Sequence, residues 1–118
     1  MDPQLKRGLT DACVLALLSR GDSYGYRLMK DAAGLMPLSA STLYPVLRRL
    51  EEAGALLVYS QEHTGRLRRY YRITPEGRAQ LAAFVREWEA LGKVYAFIKQ
   101  REAENQEHPD KEEAGHET

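Results

Sequence analysis

The chain opens with an almost unbroken apolar block. Residues 9–20, LTDACVLALLSR, close on Gly21, a favoured residue just past a helix end, and so predict a first helix. Asp11 lies near its start, where a negative charge suits the helix dipole. Nearly every position from Ala12 to Leu18 is apolar, so this helix is expected to be buried on more than one side. Ser23 reads as the N-cap of a second helix through YGYRLMKDAA, with Leu28, Met29 and Ala32 facing inward and Gly34 and Pro37 ending it. Ser39 or Ser41 can cap a third helix, ASTLYPVLRRLEEAG, which stops at Gly54. Leu43, Val46, Leu47, Leu50 and Ala53 share one face of it. The opposite face centres on Ser41, Arg48 and Glu52, with Tyr44 and Arg49 on its shoulders. Pro45 removes a backbone bond if the helix starts at Ala40 and none if it starts at Thr42 or Leu43; the pattern leaves both open.

The period then changes from helical to alternating. Ala55–Tyr59 and Leu67–Ile73 read as two strands, joined through Ser60–Arg66 with a reversal at Thr64-Gly65. In the second strand Arg66, Arg68, Tyr70 and Arg72 share one face, and Leu67, Arg69, Tyr71 and Ile73 the other. Thr74-Pro75-Glu76 starts a last long helix, with Thr74 as N-cap and Pro75 at the first helical position. Along it Leu81, Trp88 and Tyr95 are seven apart, as are Phe84, Leu91 and Ile98, and the two series interlock as a and d positions of a heptad. Gly92 interrupts the repeat at about 1 kcal/mol relative to Ala. From residue 102 the chain turns polar and acidic and is expected to be disordered.

The fold class is therefore mostly α with a small β-hairpin: a winged helix-turn-helix over residues 5–74, a long C-terminal dimerisation helix over 75–101 and an acidic tail over 102–118. The heptad seam is too long and apolar for three short helices and a hairpin to cover, which marks it as an interface between subunits.

Composition is that of an ordinary single-domain globular protein, 43% apolar and 29% charged in 118 residues. No apolar run is long enough to cross a bilayer, and none has the flanks of a signal peptide. One cysteine, Cys13, excludes an internal disulfide framework and fits a reducing cytoplasm. The formal net charge of zero argues against a nucleic-acid partner, but its distribution argues for one. Residues 1–75 carry eleven Lys/Arg against seven Asp/Glu, and residues 99–118 carry three against seven. An acidic end masks a basic body.

That charge gives the helix-turn-helix its chemistry. Arg48 and Arg49 can reach phosphates or fork onto guanine, and Ser39, Ser41, Thr42 and Tyr44 can hydrogen-bond phosphates or base edges. The turn His63-Thr64-Gly65-Arg66 can enter an adjacent groove, and Arg68, Arg69 and Arg72 add attraction for the backbone. Of Tyr24 and Tyr26, one is expected in the core and one on a phosphate, and Tyr24 is included with the DNA-binding residues. The rival reading is a winged-helix protein-interaction module without a DNA role, in which the arginines form a solvated face. Cys13 is read as inert packing. His63, His108 and His116 lack partners at ligand spacing, so no metal is expected. No phosphate loop, nucleophile motif or acid pair suggests an enzyme or a cofactor.

Three segments carry a more specific likeness. LTDACVLALLSRGDSYGYRL, STLYPVLRRLEEAG and RRYYRITPEGRAQL resemble, in order and with natural spacing, the opening helices, the recognition helix and the wing strand of the PadR family. The resemblance spans about residues 5–98 and implies that Pro45 is tolerated inside the recognition helix. It implies a transcriptional repressor that binds a pseudo-palindromic operator in double-stranded DNA. It also implies a homodimer in which the last helix packs on its symmetry mate and on the first helix, bringing in Val14 and Leu17. The short C-terminal helix resembles the compact branch of the family, some of whose members stack planar aromatic molecules on a tryptophan between subunits; Trp88 holds the matching position. A tryptophan at a heptad a position serves equally well as interface core.

Overall fold

A computed structural model describes residues 2–107. Its elements in order are α1 (Pro3–Leu18), β1 (Ser23–Tyr24), α2 (Gly25–Ala32), α3 (Ala40–Glu52), β2 (Leu56–His63), β3 (Arg66–Ile73) and α4 (Pro75–Glu107). One compact body ends at Phe84 and a second unit begins at Val85.

In the compact body, α1 starts six residues before the apolar block. Asp2 caps it by accepting the Gln4 N–H at 2.8 Å, and Pro3 occupies the first turn, where its missing N–H removes no bond. Asp11 is consequently mid-helix rather than at the dipole's positive end. Ser23 does not cap α2 either. It is buried in β1, opposite Tyr71 of β3, and Tyr24 holds the N-cap position. Helix α3 begins at Ala40 with Pro45 inside it, so Pro45 forgoes the bond to the carbonyl one turn earlier. Leu43, Val46, Leu47 and Leu50 are buried as the periodicity required. Ala53 is not: it caps the helix in solvent, and Ala55 takes the buried place.

The three strands form one antiparallel sheet in the order β1-β3-β2. The β2–β3 ladder runs from Leu56↔Ile73 to His63↔Arg66, leaving only Thr64-Gly65 as the turn. Both have positive φ, 48° and 81°, as in a type I′ turn, whose twist matches that of the strands. The residues 60–63 expected in a loop are therefore strand. Leu67 lies on the core-facing side by alternation, yet it is 80% exposed because the hairpin projects past the core. That core joins Leu15 and Leu18 of α1, Leu28 and Ala32 of α2, Leu43 and Leu47 of α3, and Leu56, Tyr71 and Ile73 of the sheet.

Val14, expected at a subunit interface, is fully buried in this same core, and Leu17 and Leu81 pack against it. A side chain already enclosed in its own protomer has no surface left for a partner. Thr74 seats the start of α4: its hydroxyl donates to the Gly54 carbonyl at 2.6 Å and accepts the Gly77 N–H at 3.0 Å.

The second unit is helical to Glu107, six residues into the stretch expected to be disordered. Glutamate and glutamine are good helix formers, and Gln100–Glu104 and Gln106–Glu102 pair across single turns. Leu91, Val94, Tyr95 and Ile98 share a stripe on this helix, each more than half exposed. Residues 108–118, with His108 and His116, lie outside the described residues. Among the described residues no helix is long and apolar enough to cross a membrane.

Candidate nucleic-acid interface

The N-terminus of α3 presents three hydroxyls together. Ser39 Oγ lies 3.0 Å from Ser41 Oγ and 3.1 Å from Thr42 Oγ1, and makes no cap bond to the backbone. All three residues are exposed, as are Tyr44 and Arg48 further along the same helix. Tyr44 is aimed by a close approach to α2. A Cβ on Gly25 would stand 2.3 Å from the Tyr44 hydroxyl oxygen, so only glycine allows the ring to rest there. Between this tyrosine and the wing lies a cleft of about 510 Å³. Tyr24, Tyr44, His63, Thr64, Arg66 and Arg68 line it, all of them singled out from the sequence. Gly25, Tyr26 and Arg69 line it too. The sequence signal for Gly25 was its place between two tyrosines, whose steric meaning appears only when α3 is packed beside α2. Gly65 sits at the wing tip, in the turn.

The arginines are not equivalent. Tyr59, Tyr70 and Tyr24 stand opposite one another across the three strands, Tyr70 stacked on Tyr59 at 5.6 Å and edge-on to Tyr24 at 5.5 Å. Arg68 lies 4.0 Å over the Tyr24 ring, a cation–π contact that joins the wing to β1. Arg72 is engaged differently. It donates to both oxygens of Asp22, to Oδ2 at 2.9 Å through Nη2 and to Oδ1 at 3.2 Å through Nε, while the Tyr59 hydroxyl donates to the same carboxylate. The hydrogen bond from Arg72 holds the Asp22 carboxyl below the usual carboxylate range. Arg72 thus ties the base of the wing to the segment before β1 and is not an unengaged cation. Arg49 is likewise bound, to Asp11 of α1. Arg66, Arg69 and Arg48 remain exposed.

Neither candidate tyrosine enters the core: Tyr24 is half-buried in the aromatic row, and Tyr26 is 67% exposed at the cleft. Burial pushes the Cys13 thiol up, away from a reactive thiolate. Among the described residues no group of three His, Cys, Asp or Glu side chains could hold a metal ion.

The cleft, the exposed helix face and the hairpin all fall within a stretch that matches a known family. The profile described as "Transcriptional regulator PadR-like family" matches residues 14–83, more than half of the chain. The chain belongs to that family. A PadR family transcriptional regulator from Eggerthella lenta is 36% identical to this PadR-like chain, with a TM-score of 0.73, covering 80% of this chain and 85% of that one. A transcriptional regulator from Clostridium thermocellum is 39% identical with a TM-score of 0.72, covering 79% and 95% respectively. An uncharacterized protein of Lysinibacillus sphaericus is 32% identical over 93 residues, covering 75% of this chain and 85% of its own length. PadR-like proteins are DNA-binding regulators, and the exposed hydroxyls, tyrosine and arginines of this one are suited to that partner.

One consequence concerns Gly25 of this PadR-like regulator. Gly25→Ala is expected to turn Tyr44 aside while changing unfolding free energy by less than about 1 kcal/mol, since the atom displaced is the end of a side chain. Affinity for a selected duplex is expected to fall about five- to tenfold, the equivalent of one net hydrogen bond. Urea unfolding and fluorescence anisotropy on the same preparation check both halves; unchanged affinity would mean that Tyr44 does not touch DNA.

Proposed function

We propose that this PadR-like regulator is a transcriptional repressor that binds a pseudo-palindromic operator as a homodimer. In this reading α3 enters the major groove, with Ser41, Thr42 and Arg48 reading base edges. Ser39, Tyr44 and Tyr24 bond phosphates beside it, and the wing tip at His63-Thr64-Gly65-Arg66 enters the neighbouring groove, with Arg68 behind it on the backbone. Arg49, held by Asp11, has a positioning part rather than a free charge to offer. The single observation that supports the reading best is the convergence of six residues, from β1, α3 and the wing, on one cleft beside the exposed face of α3.

The dimer rests on α4. Leu91, Tyr95 and Ile98 form an apolar stripe that a second copy of the helix would cover, with Phe84 and Trp88 completing the heptad seam. Two wings and two recognition helices would then match the two halves of an operator. Release follows if a small molecule or stress signal acting between the subunits favours a dimer geometry with different half-site spacing. A planar aromatic ligand against Trp88 is one such signal. The chain is expected to act in the cytoplasm, where its DNA would be.

The test is selection of duplexes by the purified protein, followed by affinity measurements over a salt series. Log affinity should fall linearly with log salt, by about 0.9 for each phosphate neutralised. No enriched duplex, or affinity indifferent to salt, would leave the protein-interaction module as the better reading.

A further inference from the structure

Helix α3 is bordered on two sides. The wing cleft lies on one. On the other, a smaller hollow of about 280 Å³ separates it from the beginning of α1, with Lys6 and Arg7 contributed by α1 and Thr42, Pro45 and Arg49 by α3. No acidic residue lines this hollow among the described residues. Asp11 is bound by Arg49, and the Asp2 carboxylate accepts the Gln4 N–H at the helix cap. Lys6 and Arg7 are exposed and form no ion pair among the described residues, so they stand as excess positive charge beside the N-terminal half of α3.

A helix with its side chains is about 10–12 Å across and fills a major groove about 12 Å wide, so one phosphodiester strand runs along each flank. The wing supplies cations on one flank of α3. We propose that Lys6 and Arg7 hold the phosphodiester strand on the other. The proposal rests on the DNA-binding reading and adds to it a second contact surface, whose Lys6 and Arg7 lie outside the residues matched to the family. The surface exists because Asp2 and Pro3 start α1 early. Had the helix begun with the apolar block, Lys6 and Arg7 would sit in an unplaced lead-in rather than on a helix packed beside α3. Pro45, with no N–H and an apolar ring, gives the hollow a wall against which a deoxyribose can pack. Contacts of this kind supply affinity and register but carry no sequence information.

The experiment compares the unsubstituted chain with Lys6→Gln/Arg7→Gln on the selected duplex and on single-base variants of it. The double variant should bind all of them more weakly by the same factor, and its salt slope should be shallower by about 3.6, two contacts from each of the two protomers at about 0.9 each. Lys6→Arg/Arg7→Lys, which keeps both charges, should restore the slope. Lys99→Gln/Arg101→Gln removes the same charge from α4 and should leave it unchanged. A Lys6→Gln/Arg7→Gln slope equal to that of the parent, or an equal shift in both neutralised variants, overturns the proposal while the DNA reading stands. Failure of the unsubstituted chain to select any duplex overturns both. Thermal unfolding of each variant beside the parent identifies any loss that comes from misfolding, and a slope change in a normally folded variant is the supporting result.

Discussion

Leu91→Asp is expected to convert the dimer to monomers and to lower operator affinity by a factor of about 10²–10⁴, the usual gain from linking two binding modules. Leu91 begins the exposed stripe on α4, with Val94 and Tyr95 one turn on and Ile98 beyond. It is 54% exposed in the single chain, so an aspartate there meets water in the monomer and apolar surface only in the dimer. Burying that carboxylate without a partner charge costs several kcal/mol, enough to break a small interface. Sedimentation equilibrium at micromolar concentration reads the first effect and anisotropy with a full operator reads the second. A half-site duplex should bind variant and parent protomers alike, which separates lost pairing from lost folding. A dimer that survives the substitution, or a parent chain that is monomeric at that concentration, would refute the role assigned to α4.

Gly77→Ala is expected to destabilise the compact body by about 1–3 kcal/mol, the usual range for overpacking. A Cβ at this position would lie 2.3 Å from the Ala55 carbonyl oxygen and 2.8 Å from Ile73 Cγ1. Neither neighbour can move cheaply. The carbonyl already accepts the Thr74 N–H at 3.0 Å, and Ile73 is part of the core. Relief would have to come from lifting the first turn of α4, breaking the Thr74 cap on the way. For a body of this size each kcal/mol corresponds to about 4–8 °C, so the midpoint of thermal unfolding should fall by roughly 5–20 °C. An unchanged midpoint would show that the turn has slack that its contacts conceal. Gly25→Ala provides the contrast, because there the displaced atom is the free end of a tyrosine.

Much of this molecule is local in origin and was legible residue by residue. The α3 face carrying Leu43, Val46, Leu47 and Leu50, the Thr64-Gly65 reversal, the Thr74 cap and the alternation along β3 are consequences of helical and strand periods within a few residues. The clustering of Tyr24, Tyr44 and the wing at one cleft follows from the order of those elements, once three helices and a hairpin are recognised as a winged helix-turn-helix. The short strand β1 was not legible. Two residues have no period, and Ser23 and Tyr24 become strand only because β3 offers an edge to pair with.

What the sequence determined by itself is the succession of the four helices and the hairpin, the inward face of α3 and the basic character of the DNA-facing half. Tertiary structure decided which of those charges are available and which apolar residues are already covered. Arg49 and Asp11 are 38 residues apart, and Arg72 and Asp22 are 50 apart, so no pattern within one element could pair them. The same holds for Val14, enclosed by its own core, and for Leu67, carried beyond it on the hairpin. Periodicity records how a segment turns its side chains relative to its own axis. Whether a given face then meets a carboxylate, a leucine or water depends on which distant segment folds against it, and that is settled only when the elements pack.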